Sequence, residues 1–383
     1  LRGGTPVQRG IAAAADRPVG ERTRRASVRL HAGTVIGKSG RMRSPRPVSA
    51  TLVAAICVMA ALALVAGSCG DGDDSADETT TTTDERVEGE AAPELTAPTI
   101  DELLARDEPL LLAHAGGDHD APQETIYAYT TAAETGVDVL EMDVMLSADG
   151  ELVVHHDETV DRLTDGSGAV AELTLDELRE LDAAYWWSPD CTDGTCRDLP
   201  ESDYPYRGVR TGEVDPPEGF SAEDFRIPTF REVAEAFPGL PLDVEVKGEG
   251  EPAFEAADVL AAELEELERV DSTVVVSFDS KVVERMRERL PEVTTSPGLS
   301  TMTEWVLRDG PIDGYPIVQI PPTYQGADLL GLVLPKAMEA GIEVWVWPTE
   351  AEQETTEFYR ELIDRDVDGV IAASPSAWPH DGD

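Results

Sequence analysis

From about residue 108 onward the apolar positions of the chain change period repeatedly. Short runs rich in Leu, Val and Ile alternate with longer stretches in which apolar residues recur every three or four positions. The short runs fall at 110–114, 137–143, 152–156, 242–247, 273–278, 293–296, 317–320, 344–347 and 369–372, and each reads as a strand. Helical spacing falls between most of them, for example over 124–135, 228–237, 252–269, 280–290 and 351–364. Such alternation predicts an α/β fold, a parallel sheet with helices outside it. The second and third runs are joined only by Ser147-Ala148-Asp149-Gly150 and its flanks. That is fewer than the roughly dozen residues a parallel crossover needs, so the two should form a hairpin. Eight parallel strands remain, the number that closes a (β/α)8 TIM barrel. An open doubly wound sheet is the other arrangement, but no Gly-x-Gly-x-x-Gly follows a strand. The stretch 185–226, rich in Pro, Gly, Asp and aromatic residues, breaks the pattern and is too long for an ordinary connection. It reads as an inserted loop subdomain in a barrel domain spanning 108–383.

The chain before residue 108 has another character. Residues 1–41 are rich in Arg, Gly and Ala without apolar periodicity, and read as disordered or as an over-extension upstream of Met42. From Met42 come Arg43 and Arg46, an unbroken apolar run over 52–66, and Gly67-Ser68-Cys69. The run falls short of the ~20 residues that cross a bilayer. A basic flank, a short apolar stretch and a small-residue exit describe a secretory signal over 42–68. Leu64-Val65-Ala66-Gly67-Ser68-Cys69 resembles a bacterial lipobox, with Ala66 where that motif prefers Leu, so Cys69 is the expected lipidation site. The acidic, Thr-rich stretch 69–107 should be a disordered tether. The chain is therefore expected outside the cytoplasm, lipid-anchored on the outer face of the cell membrane or, without the lipid, secreted.

Charge narrows the partners. The 383 residues carry 77 acidic and 30 basic side chains, and beyond residue 68 the numbers are 75 and 19, a net of −56. A polyanion would be repelled, which excludes nucleic acid. Of the four cysteines, Cys57 lies in the apolar run, and Cys191 and Cys196 flank Thr-Asp-Gly-Thr. Outside the cytoplasm these two predict a disulfide, its small loop worth about 2 kcal/mol. Zinc is the weaker reading, since no second Cys or His pair lies near.

Six polar residues stand at or near the C-terminal ends of predicted strands, where barrel active sites are built: His114, Glu141, Asp143, His156, Glu245 and Lys247. Glu141 and Asp143 are two apart and so share a face, as do Glu245 and Lys247. Taken singly, an acidic pair reads as a solvated edge and a lone His as structural. A closed barrel has no edge, however, and charged groups aimed inward need a partner. Three carboxylates suit a hard divalent cation, Ca²⁺ or Mg²⁺. A cation with Lys247 beside it describes a phosphate site, and two histidines supply a general acid and base for a diester. His155 points to the opposite face and should pack, whereas His119 and His380 should be exposed. The tryptophans at 186, 187, 345 and 347 either cage a quaternary ammonium or pack as core.

These residues occur in an order that resembles the glycerophosphodiester phosphodiesterase family. The landmarks are His114-Ala115-Gly116, Pro122-Gln123-Glu124-Thr125, Glu141-Met142-Asp143, Asp149-Gly150, His156-Asp157, Arg162 and Thr164. Ile227-Pro228-Thr229, Val244-Glu245-Val246-Lys247, Ser277-Phe278, Trp347 and Gly369-Val370-Ile371 follow, so the likeness covers about 108–376. The resemblance implies the same barrel, a divalent metal on Glu141, Asp143 and Glu245, and His114 and His156 as the acid/base pair. It further implies Lys247 near the phosphate, Trp347 on the substrate, and an insertion at 185–226 that shapes access. The reaction implied is hydrolysis of a small-molecule glycerophosphodiester to glycerol 3-phosphate and an alcohol.

Three stretches depart from the family pattern: Ala115 replaces its Arg, Gln123-Glu124 its Glu-Asn, and Pro348-Thr349-Glu350 its Thr-Val-Asn. The first two look coupled and predict an altered head-group preference. A lyase that forms a cyclic phosphate, or a surface lipoprotein that binds a ligand without turning it over, are the alternatives. Nothing in the sequence fixes the oligomeric state.

Overall fold

The computed structural model describes residues 96–380. The predicted signal segment, Cys69 and most of the acidic stretch lie outside the described residues. The strands are β1 (Leu110–Ala113), β2 (Val139–Leu146), β3 (Leu152–Val154), β4 (Leu242–Val246), β5 (Thr273–Val276), β6 (Thr294–Thr295) and β7 (Ile317–Ile320). They continue with β8 (Thr323–Tyr324), β9 (Ala327–Asp328), β10 (Glu343–Val346) and β11 (Gly369–Ala372). Helices α1 (Ile100–Leu104), α2 (Ile126–Thr135), α3 (Leu175–Glu180), α4 (Phe230–Ala236) and α5 (Gly250–Glu266) come first. Then follow α6 (Ser280–Arg289), α7 (Leu299–Arg308), α8 (Leu330–Ala340) and α9 (Thr356–Asp364).

Eight strands run parallel in the order β6-β5-β4-β2-β1-β11-β10-β7, a nearly closed barrel, and β3 pairs antiparallel with β2 as the expected hairpin. Among the described residues no ladder joins β6 to β7. Strand periodicity divides the core. Leu111, Ala113, Leu140, Met142, Val244, Val318, Val344 and Val370 face outward and pack with buried helix residues such as Val233, Leu260, Val282 and Val333. The alternate positions Leu110, Leu112, Val139, Val274, Ile317, Trp345 and Ile371 fill the interior.

Ile100 and Leu103 of α1 join that inner cluster at the N-terminal end of the strands, each 1% exposed. The reading of 69–107 as an unfolded tether therefore fails at its end. Thr99 accepts a hydrogen bond from the Glu102 N–H while Glu102 accepts one from Thr99 N–H, a capping box that starts the helix. The acidic residues around it mask two apolar side chains spaced three apart. Helices α3, α7 and α8 add to the stretches named for their helical spacing, and the 351–364 helix splits into a short turn and α9. The expected strand ends also shift: β1 stops at Ala113 and β3 at Val154, so His114 and His156 sit in the turns that follow.

The insertion 185–226 has a small core of its own. Ala184, Val209 and Phe225 pack with Tyr206 and with Tyr127 of α2, and the Tyr127 and Tyr206 hydroxyls hydrogen-bond at 2.8 Å. The Arg207 guanidinium lies 3.6 Å from the Tyr204 ring, 4.4 Å from Tyr185 and 4.6 Å from Trp186. A disulfide joins Cys191 to Cys196.

Candidate active site

The chain leaves β1 through a left-handed turn. Ala115, Gly116 and Gly117 are all left-handed, with φ of 46°, 80° and 87°. A Cβ on Gly116 would come within 3.0 Å of the Tyr129 ring, and one on Gly117 within 3.0 Å of Pro375. This turn turns His114 toward Asp118, whose Oδ1 lies 2.9 Å from His114 Nδ1. The Ala115 N–H donates to Glu141 Oε2 at 2.6 Å, tying the turn to β2. Burial disfavours the charged His114 ring, but Asp118, Glu141 and Asp143 outweigh it and raise its pKa well above the usual imidazole value.

On β2 and β4 the register sets Glu141 beside Asp243 and Asp143 beside Glu245. Parity aims all four into the barrel above its apolar layers, with Lys247 next along. Lys247 Nζ is 3.0 Å from Asp143 Oδ1 and 3.3 Å from Glu245 Oε1. Burial pushes Glu141 up to about 8, with Asp143 adding to it, and pushes Asp243 and Glu245 up to about 7. Burial also acts upward on Asp143, but Lys247, His156 and His114 hold it below its ordinary range. These mutual effects put the two histidines, the carboxylates and Lys247 in one field.

Glu124, at φ 56° and only 2% exposed, is another buried carboxyl; its Oε1 accepts the Asp143 N–H at 3.1 Å. Asp243 is clamped from across the barrel by Gln319 of β7, whose Nε2 donates to both its oxygens at 2.9 and 2.8 Å. Asp243 was not singled out in the sequence, and Glu124 entered only as part of a departure from the family pattern, not as a buried carboxyl of the site. The alternation Asp243, Glu245, Lys247 on one face of β4 is the signal that could have found Asp243.

Beyond β3, His156 Nδ1 lies 2.7 Å from Asp157 Oδ1. Asp157 accepts two hydrogen bonds from Arg162, Nε to Oδ2 at 2.5 Å and Nη2 to Oδ1 at 2.9 Å. His156 and Arg162 outweigh the effect of burial and hold Asp157 far below the usual carboxylate range. The two histidines thus share one arrangement, each with Nδ1 on an aspartate and, among the described residues, Nε2 without a hydrogen-bond partner.

The donors suit a hard cation: they are all oxygens, and while Lys247 Nζ meets Asp143 Oδ1 at 3.0 Å, the buried Oδ2 of Asp143 lacks a hydrogen-bond partner among the described residues. They are not drawn together as a ligand set. Among the described residues the group of three ligand-type side chains within 4.8 Å of one another is Cys191, Asp193 and Cys196, whose sulfurs are committed to the disulfide.

The four tryptophans do not meet as a cage. Trp345 is buried in the barrel floor, Trp187 is buried and Trp186 packs within the insertion. Trp347 alone stands by the strand ends, edge-on to the half-exposed Phe278 at 6.3 Å.

Residues 114–377 match the glycerophosphoryl diester phosphodiesterase family. Human glycerophosphodiester phosphodiesterase 1 is 33% identical over 196 residues, 51% of this chain and 50% of that protein. The chain thus spans about half the length of the first curated relatives it matches. A crystal structure of glycerophosphodiester phosphodiesterase from Agrobacterium tumefaciens is similar in fold, with a TM-score of 0.51 and 23% identity, covering 70% of this chain and 99% of that one. So is an Oleispira antarctica phosphodiesterase solved in complex with the product sn-glycerol-3-phosphate, with a TM-score of 0.52, 22% identity and coverage of 70% and 94%.

Proposed function

The chain belongs to the glycerophosphoryl diester phosphodiesterase family, and from that premise we propose that it hydrolyses glycerophosphodiesters to glycerol 3-phosphate and an alcohol. The observation that carries the reading is the pair of aspartate-bound histidines at the barrel mouth, flanking inward carboxylates and Lys247. An ionised carboxylate only accepts, so each neutral ring carries its proton on Nδ1 and presents Nε2 as the working nitrogen. One Nε2 takes a proton from water as its oxygen bonds to phosphorus. The other ring enters as the imidazolium, protonated on both nitrogens; the bond to the departing oxygen breaks, and that oxygen receives the imidazolium's Nε2 proton. Glu141, Asp143 and Glu245 would hold a divalent cation, Ca²⁺ or Mg²⁺, which when bound offsets charge on the phosphoryl oxygens. Lys247 meets the same phosphate, and Trp347 with Phe278 contacts the alcohol end.

The test is glycerol 3-phosphate release from a panel of glycerophosphodiesters with Ca²⁺, with Mg²⁺ and with chelator. Release that needs the cation is expected, and His114→Ala or His156→Ala should lower kcat by about 10²–10⁴-fold. Turnover that survives either substitution defeats the acid/base assignment, and full activity in chelator defeats the cation.

In the same reading the 52–66 run exports the chain and Cys69 carries a lipid. Cys69→Ser should then move the protein from the membrane fraction to the medium; an unchanged distribution removes the anchor.

A further inference from the structure

The insertion 185–226 reaches the backs of both histidine–aspartate pairs. Trp187, 5% exposed, donates from Nε1 to the Asp118 carbonyl at 2.9 Å, and the Asp118 carboxylate holds His114 Nδ1. On the other side the disulfide-closed loop offers the Asp193 carbonyl to Arg162 Nη1 at 2.7 Å, and Arg162 holds Asp157 by two bonds. The loop grips the Arg162 backbone as well. Arg197 Nη2 donates to the Asp161 and Arg162 carbonyls at 3.0 and 3.2 Å, and a Cβ on Gly194 would stand 3.1 Å from Arg162 O. Trp186 N–H donates to Leu163 O at 3.2 Å.

We propose that this insertion is a brace that orients both histidines, through Trp187 and Asp118 on one side and through the Cys191–Cys196 loop, Arg162 and Asp157 on the other. The inference rests on the reading of His114 and His156 as the proton-transfer pair. It goes further in making Trp187, Arg162 and the disulfide loop positioning elements for the reaction rather than a wall around the substrate. A ring held by one hydrogen bond rotates about its Cβ–Cγ bond unless its partner is itself fixed. Asp118 and Asp157 are short side chains on turns, and the brace supplies the second support for each. The length of the insertion, otherwise unexplained by the barrel, follows: it must run from Asp118 to Arg162 while resting on Tyr127 of α2.

Two variants of the full chain test it, Trp187→Phe, which removes the indole donor but keeps an aromatic ring, and the double change Cys191→Ser with Cys196→Ser. Each should lower kcat roughly tenfold with KM and cation affinity unchanged, since a misoriented catalytic group affects the chemical step. The low-field Nδ1–H proton resonance of the corresponding histidine should weaken in parallel. Wild-type protein under dithiothreitol should reproduce the cysteine result, which covers the case of a double variant that does not fold. Unchanged kcat, or a change confined to KM, overturns the brace. Should the wild-type chain show no turnover, the proposed function falls while the resonances still decide the brace: signals that persist in the variants and under reductant overturn it.

Discussion

His155 and His156 are neighbours in sequence with opposite surroundings. His155 is 2% exposed, with Nε2 3.3 Å from Thr159 O, so the proton sits on Nε2. Burial lowers its pKa to about 4, against about 6.5 in an unfolded chain. Above pH 6.5 the ring is neutral in both states and its contribution is complete. As pH falls from 6.5 toward 4 the unfolded chain takes up a proton that the folded one refuses, and stability declines by about 3 kcal/mol. His155→Gln keeps an N–H donor without the titration, so its unfolding free energy should be flatter across that window. Equal slopes in variant and wild type would show that His155 is not the titrating group. The inward aim of Glu141, Asp143 and Glu245 was legible because strand parity fixes it, and the same alternation carried one residue past β3 and β4 gave the packing role of His155 and the inward aim of Lys247. Asp118, Asp243 and the burial of Glu124 beside Asp143 were not legible. Asp118 and Glu124 sit in irregular turns, and Asp243 lies one step below the polar ends of β4.

At the level of elements, the long alternating segments announced themselves and the short ones did not. The barrel and its hairpin were legible because each strand run is bounded by turn residues and only one connection is too short to cross over. Helix α1 is five residues long, less than two turns, so it offers no periodicity to read. Its existence depends on the cap and on two buried contacts. Leu103→Ala should therefore destabilise the fold by about 2–5 kcal/mol, and Thr99→Ala by about 1 kcal/mol, read from denaturant midpoints. Because α1 lies at the opposite end of the strands from His114, kcat at a temperature well below unfolding should stay at the wild-type value in both. Loss of activity without loss of stability would contradict that placement. The insertion was legible as an irregularity but not as a brace, since its hydrogen bonds to Asp118 and Arg162 come from an indole and a main-chain carbonyl.

For the whole molecule the governing quantity is negative charge, carried at two places with different physics. The surface excess, within the net of −56 beyond residue 68, repels itself through water and is screened by any salt. The buried carboxyls facing the barrel are little screened, and burial already drives Glu141, Asp243 and Glu245 toward their protonated forms. Only a ligand that enters the site relieves them. Sodium chloride should therefore raise the melting temperature gradually, mostly below 0.1 M, where the Debye length falls to about 10 Å. Calcium or magnesium chloride at matched ionic strength should add a further rise on the order of 5 °C once the free ion exceeds its dissociation constant about a hundredfold. Glu141→Gln should remove that increment and leave the sodium response untouched, because it subtracts a ligand from the site but only one charge from the surface total. Coincident sodium and calcium curves for the wild-type chain would mean that the inward carboxylates bind no cation. The charge on them would then have to be balanced by Lys247 and the two histidines alone.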